Sequence, residues 1–170
     1  MNDRGVRLVP YDALWPMMFE AEADRIEAAC ADLPLRLEHI GSTSVPGMSS
    51  KPVIDILAGR PPRSRPAAYI AAIRQVGYEH RGTAGIPGRE FFRRGSPRTH
   101  HVHLVSWSSA VWEEHLLFRD LLRADPAIAR DYEAVKRDLA IAFVDDRRAY
   151  TDGKATFIQA AIREARRRVV

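Results

Sequence analysis

The sequence has a single cysteine, Cys30, among its 170 residues, and it has no long uninterrupted apolar run. One cysteine excludes an intrachain disulfide, which is the pattern expected of a protein in a reducing cytoplasm. No window approaches the ~18 consecutive apolar residues of a transmembrane helix. The opening MNDRGVRLVPYDALW lacks the apolar core of a signal peptide. We therefore expect a cytoplasmic protein without a membrane segment.

The composition is that of a globular protein, with 46% hydrophobic and 28% charged residues. A chain of this length is able to bury a core without disulfides or metals, so we expect one domain over residues 1–170. The net charge of +4 favours anionic ligands. Its densest basic run, at 163–168, is more typical of a solvated helix end than of a nucleic-acid contact.

The hydrophobic pattern predicts strands in the first two thirds of the chain and helices after them. A first helix starts near Asp12, and another lies near 66–76. Alternating or β-branched apolar runs predict strands over 35–41, 52–59, 89–95 and 98–106, the last two forming a hairpin. Helices follow over 108–125, from Pro126 onward, and from about Thr151 or Asp152 to the end. This order indicates an α/β or α+β fold.

The loop 41–51, GSTSVPGMSSK, separates two of the predicted strands. It is not a Walker loop, because five residues lie between Gly41 and Gly47 and Met48 follows. It also lacks the serine centred between glycines of a nucleophile elbow. Its hydroxyls, on Ser42, Thr43 and Ser44, and its backbone N–H groups are able to hold a phosphate, and Lys51 adds a cation. An ordinary turn is the alternative interpretation.

Asp55 stands alone within the apolar run 52–59. An ionised carboxylate in a buried strand must meet a cation or hydrogen-bond donors. His101 and His103 share one face of a later strand, where two imidazoles are able to reach the same ion or phosphate. We therefore expect Asp55 to meet both histidines across adjacent strands. Leu57 lies where a second metal-binding carboxylate would be needed.

Two further basic residues are candidates for binding phosphate. Arg94 lies in the predicted hairpin beside the histidine strand, and an arginine is suited to bidentate contact with phosphate. Lys154 lies in the first turn of the last predicted helix. The alternatives are a solvent-facing arginine and an ordinary helix start.

Blocks along almost the whole chain carry a family resemblance. They are LVPYDALWPMMFEAEADRI, EHIGSTSVPGMSSKPVIDILAG, FFRRG, THHVHLV, LLFRDLLRADP, YEAVKR and AYTDGKATFI. Together they resemble the GrpB family, which also occurs fused behind dephospho-CoA kinase. The resemblance implies a nucleotidyltransferase-like fold, with a mixed β-sheet, packed helices and here a helical C-terminal third.

In that superfamily a Gly-Ser turn cradles nucleotide phosphates, and three acids hold two divalent ions. The resemblance implies that Gly41 and Ser42 form the turn and that Asp55 is the first acid. This sequence departs from the pattern, since Leu57 replaces the second acid, and His101 and His103 stand where the later strand carries a carboxylate. The two-metal mechanism needs charge on both sides of the transferred group.

Two classes of function follow from these residues. The first is a nucleotidyl- or phosphoryl-transferase-like enzyme with an atypical metal site. In it Asp55, His101 and His103 are catalytic and hold Mg²⁺ or Mn²⁺, with Zn²⁺ as an alternative. Phosphates are then held by Gly41, Ser42, Thr43, Ser44, Lys51, Arg94 and Lys154. The second is a non-catalytic module that binds a nucleotide or CoA-type ligand. In both, the partner is a small phosphorylated ligand, and neither nucleic acid nor membrane is favoured.

Overall fold

The computed structural model describes residues 6–168, which form a five-stranded sheet with helices on both faces. The strands are β1 (Arg36–Ile40), β2 (Ile54–Arg60), β3 (Glu79–His80), β4 (Glu90–Arg94) and β5 (His100–Ser106). The helices are α1 (Trp15–Ala29), α2 (Ala67–Gln75), α3 (Ala110–Ala124), α4 (Pro126–Ala142) and α5 (Arg147–Arg168). A short 3-10 turn, Ser42–Ser44, follows β1.

The sheet has the strand order β1-β2-β5-β4-β3 and is mixed. β2 pairs in parallel with β5, while the other pairings are antiparallel. β4 and β5 form the hairpin predicted from the sequence. The prediction of an α+β fold with a mixed sheet and a helical C-terminal third is confirmed.

The main core lies between the sheet and the helices α1 and α2. Because side chains alternate along a strand, every second residue of β2, β4 and β5 faces this core. These side chains are fully buried: Ile54, Ile56, Ala58, Phe92, Val102 and Leu104. The middle of each central strand is therefore covered on this face by hydrocarbon, while the buried Glu22 and His100 lie at the edge of this core.

The opposite face of the sheet is covered by α3. Trp112 of this helix packs with Leu57 and Val105, which belong to β2 and β5. A Cβ atom on Gly59 would lie 2.6 Å from the Trp112 ring, so the absence of a side chain lets α3 approach the sheet closely. Helix α3 therefore packs on the same face of β2 that carries Asp55.

Two helix starts differ from the sequence prediction. α1 begins at Trp15 and not near Asp12, because the Asp12 carboxylate accepts a hydrogen bond from the backbone N–H of Leu14 ahead of the helix. α5 begins at Arg147, four residues before Thr151. There the Asp146 carboxylate accepts from the backbone N–H of Ala149 at 2.9 Å, which caps the first turn. Within residues 6–168 no helix is long and apolar enough to cross a bilayer.

Candidate functional site

Asp55, His101 and His103 converge on the α3 side of the sheet. Asp55 is paired with His101 in the parallel register of β2 and β5. The Asp55 Oδ1 atom lies 3.0 Å from His101 Nδ1 and 3.4 Å from His103 Nε2. The predicted meeting of the carboxylate with both imidazoles is confirmed as geometry. Their assignment as catalytic or metal-binding groups stays a prediction.

The hydrogen bonds define the charge of this group. Burial by itself would raise the pKa of Asp55, but hydrogen bonds from His101 and His103 hold it well below its usual range. An ionised carboxylate only accepts hydrogen bonds, so both facing ring nitrogens carry a proton. Burial lowers the pKa of His103, against the attraction of Asp55. Asp55 is therefore a fixed anion at neutral pH, with its side chain 29% exposed.

Gly41 brings the loop against this carboxylate. Its φ of +72° favours glycine, and a Cβ atom there would lie 2.7 Å from Asp55 Oδ2. Ile40, the residue before it, is the β1 partner of Asp55. The Gly-Ser turn and the single acid of the predicted site are therefore in direct proximity.

The three hydroxyls of the loop have different surroundings. Thr43 is buried, and its Oγ1 lies 3.0 Å from His39 Nε2. The buried Ser44 hydroxyl donates to the Gly41 carbonyl at 2.7 Å. These contacts tie both hydroxyls into the fold, and the predicted role of Thr43 and Ser44 in phosphate binding stays a prediction. Ser42 is half-buried and is a hydrogen-bond partner of Tyr132.

Lys51 and Lys154 come together although 103 positions separate them in sequence. Their Nζ atoms lie 4.9 and 4.5 Å from the centre of the Tyr150 ring. Burial, together with the charge of Lys51 and against the attraction of Asp55, lowers the pKa of Lys154 to about 8. Burial also raises the pKa of Tyr150 to about 12. Two cations therefore share one buried aromatic ring near Asp55.

Helices α3 and α4 hold the loop that precedes β2. Arg123 donates to the Ser44 carbonyl from Nε at 3.0 Å and from a terminal nitrogen at 2.8 Å. On α4, Lys136 donates to the Ser49 carbonyl and Glu133 accepts from the Ser49 N–H at 3.1 Å. Lys136 is 1% exposed, and burial lowers its pKa to about 7. These contacts fix the loop as a rigid part of the site.

Arg94 lies beside the histidine strand, as predicted, but it does not join this group of side chains. It is paired with His100 in β4 and β5, so it faces the side of the sheet opposite to His101. There its guanidinium lies 2.7 Å from the Glu22 carboxylate, which is 4% exposed. Arg93 is the residue paired with His101, so the neighbouring Arg94 points to the opposite face of the sheet.

Two residues near the carboxylate were missed by the sequence analysis. Arg89 is 8% exposed and donates from a terminal nitrogen to His103 Nδ1 at 3.4 Å. The ring of His115, on α3, lies 5.6 Å from that of His103, centre to centre. Burial lowers the pKa of His115 to about 4, so this imidazole is neutral. The spacing of α3 side chains carries no signal of this contact, because it depends on how the helix packs on the sheet.

The donor set does not fit the pair of divalent ions that the resemblance implies. Leu57, at the position of the second acid, is fully buried. Both histidines turn a protonated nitrogen toward Asp55, so neither can share an ion with that carboxylate through the nitrogen that faces it. Within residues 6–168 no three His, Cys, Asp or Glu side chains are grouped to hold an ion. A single Mg²⁺, Mn²⁺ or Zn²⁺ at Asp55 stays a prediction.

Comparison with known proteins identifies similar chains. Residues 5–164 match the model of the family described as GrpB protein. A UPF0157 protein of Pseudomonas aeruginosa is 42% identical over 90% of this chain and 64% of its own length. The UPF0157 protein YqkA of Bacillus subtilis is 36% identical over 96% of this chain and 48% of its own. The chain thus spans about half to two thirds of these two relatives.

A solved structure of a GrpB protein is also similar to this chain. The crystal structure of the conserved protein GrpB from Enterococcus faecalis has a TM-score of 0.85 and 35% identity, covering 96% of this chain and 99% of that one. A cytoplasmic RNA terminal U-transferase is similar at a TM-score of 0.46 and 6% identity, over 76% of this chain and 42% of that one.

The name of one relative states an enzyme activity. A protein of Mycolicibacterium paratuberculosis named dephospho-CoA kinase is 30% identical over 94% of this chain and 46% of its own length. The predicted occurrence of this domain together with dephospho-CoA kinase is confirmed.

Proposed function

This chain belongs to the GrpB family, and from its site we propose that it binds a small phosphorylated ligand of the nucleotide class. The ligand phosphate would lie between the loop 41–51 and the start of α5. The observation that carries the proposal is the pairing of Lys51 and Lys154 over the Tyr150 ring. The dephospho-CoA kinase name of one relative supports a CoA-type nucleotide as a member of this ligand class.

Electrostatics favours an anion at this position. Lys51 and Lys154 are half-buried, so their ammonium groups lose part of their hydration, and each cation repels the other. The pKa of Lys154 is lowered to about 8 because its charged form is disfavoured in this way. A phosphate between the two ammonium groups would offset both terms and form charge-assisted hydrogen bonds. Ser42 and the backbone of the Gly-Ser turn are the additional donors that such a phosphate requires.

Transfer of a nucleotidyl or phosphoryl group is the second candidate function. The observation in its favour is the carboxylate of Asp55, which two imidazoles keep ionised beside the Gly-Ser turn. A fixed carboxylate at this position is able to orient an acceptor hydroxyl by accepting its hydrogen bond. The low pKa of Asp55 makes it a weak base, so its role in this candidate is orientation.

Binding is tested by calorimetric titration of the purified chain with ATP, dephospho-CoA, inorganic phosphate and adenosine. We expect the phosphorylated compounds to bind and adenosine, which lacks phosphate, to bind at least tenfold more weakly. Lys154→Met should weaken ATP binding about 10- to 100-fold, because a hydrogen bond to a charged group contributes about 1.5–3 kcal/mol. Lys154→Arg should retain most of the affinity.

The matched control is Arg148→Met, which removes a cation of α5 that is 92% exposed. This variant should bind ATP like the unmodified chain. Equal affinity of Lys154→Met and the control, or equal binding of adenosine and ATP, would contradict the phosphate site.

The second candidate is tested by release of pyrophosphate or phosphate from nucleoside triphosphates with Mg²⁺ or Mn²⁺. Turnover that Asp55→Asn abolishes while ATP still binds supports transfer. If the unmodified chain and Asp55→Asn both bind ATP and neither releases phosphate or pyrophosphate, the function is ligand binding without catalysis.

A further inference from the structure

Arg89 has no role in the site described so far, yet it is buried beside it. The residue precedes β4, and its side chain is 8% exposed. Its guanidinium makes three hydrogen bonds: to the Thr83 carbonyl at 3.1 Å, to the Ala84 carbonyl at 2.9 Å and to His103 Nδ1 at 3.4 Å. It also lies 5.1 Å from the centre of the Phe91 ring. All these partners are uncharged, so the guanidinium is used for geometry and not for an ion pair.

We propose that Arg89 is a positioning residue that orients His103 and, through it, the Asp55 carboxylate. A guanidinium only donates, so His103 Nδ1 must accept. The proton of the neutral His103 ring is then on Nε2, the nitrogen that faces Asp55 at 3.4 Å. The order of donors and acceptors from Arg89 to Asp55 is therefore fixed.

The same contacts connect the Asp55 site to the loop before β4. Residues 82–88 include three glycines with positive φ, and Ala84 also has a positive φ of 45°. Arg89 binds the carbonyls of Thr83 and Ala84 with the same side chain that binds His103. Phe91, two residues on, packs against both site imidazoles at 5.1 and 5.2 Å. One arginine thus holds the loop and the imidazole in a common arrangement.

Nitrogen-15 NMR of the histidine rings in the free chain tests this assignment. At pH 7.5 the unmodified protein should show His103 as the neutral ring protonated on Nε2. A spectrum with the proton on Nδ1, or with both nitrogens protonated, would overturn the proposal without any variant. The measurement needs no phosphorylated ligand, so it stands or falls separately from the phosphate site.

The variant Arg89→Met removes the donor while keeping an apolar stem. We expect solvent exchange of the His103 Nε2 proton to accelerate about two- to tenfold, since one hydrogen bond contributes about 0.5–1.5 kcal/mol to holding the ring. Arg89→Lys keeps a donor and should restore slower exchange. Arg81→Gln is the control, because Arg81 is 45% exposed and pairs with Glu79.

Exchange that stays unchanged in Arg89→Met, or that accelerates equally in Arg81→Gln, would overturn the positioning role. Should Arg89→Met fail to fold, the comparison of Arg89→Lys with the unmodified chain remains. A Lys variant that exchanges more than tenfold faster than the unmodified chain would then count against the proposal.

Discussion

Replacement of Lys136 by methionine should change how the stability of this protein depends on pH. The Lys136 ammonium is 1% exposed, and burial lowers its pKa from 10.5 to about 7. Below pH 7 the group is charged in both the folded and the unfolded chain, and the folded state bears the full cost of burying it. Between about pH 7 and 10.5 the unfolded chain binds more protons, so stability must rise with pH in this window.

The size of the effect follows from the two pKa values. Complete relief of a shift from 10.5 to about 7 corresponds to about 5 kcal/mol, at 1.36 kcal/mol per pKa unit. Between pH 7 and 9 this contribution to the free energy of unfolding should rise by about 2 kcal/mol. Lys136→Met lacks the ionisable group, so the stability of the unmodified chain relative to this variant should rise by that amount.

Urea denaturation at pH 6.5, 7.5, 8.5 and 9.5 gives the free energies of unfolding. The control is Arg130→Met, which removes an exposed cation of α4 that does not act on the pKa of Lys136. The stability of this control should run parallel to that of the unmodified chain. Lys154 also lowers the pKa of Lys136, so Lys154→Met should move the rise to higher pH. A difference between the unmodified chain and Lys136→Met that stays within about 0.5 kcal/mol from pH 7 to 9 would refute the reasoning.

Two other substitutions test the loop. Gly41→Ala should lower the free energy of unfolding by about 1–3 kcal/mol, because φ is +72° and the new Cβ would meet Asp55 Oδ2 at 2.7 Å; denaturation that matches the unmodified chain would contradict the close approach. Arg123→Met should cost about 1–2 kcal/mol by removing two hydrogen bonds to the Ser44 carbonyl. The exposed Arg130→Met on α4 should leave stability within about 0.5 kcal/mol in the same assay, and equal losses in both variants would count against a specific clamp.

The carboxylate–imidazole group could be predicted because it depends on local rules. Alternation along a strand places His101 and His103 on one face, and an acid in an apolar run requires a nearby partner. Only the adjacency of the two strands had to be assumed. The parallel pairing of β2 with β5 then brings Asp55 level with His101.

The basic part of the site depended on tertiary contacts. The face of Arg94 relative to His101 could not be predicted, because a strand pattern does not tell which residue of a neighbouring strand lies opposite. Lys154 was a candidate, but its pairing with Lys51 depends on how α5 packs against α3 and α4. Lys136 and Arg89 gave no signal, since each acts through a long side chain that reaches a distant element.

The hydrogen bonds from α3 and α4 to the loop 41–51 also determine how this part of the protein unfolds locally. The Ser44 carbonyl and the Ser49 peptide are held by side chains from the last third of the chain. Amide protons of the loop, such as that of Ser49, should therefore exchange with deuterium only when the helical third detaches. The loop and the C-terminal helices then form one cooperative unit of local unfolding. β1 and β2 are joined by this loop, but the side chains that hold it come from α3 and α4.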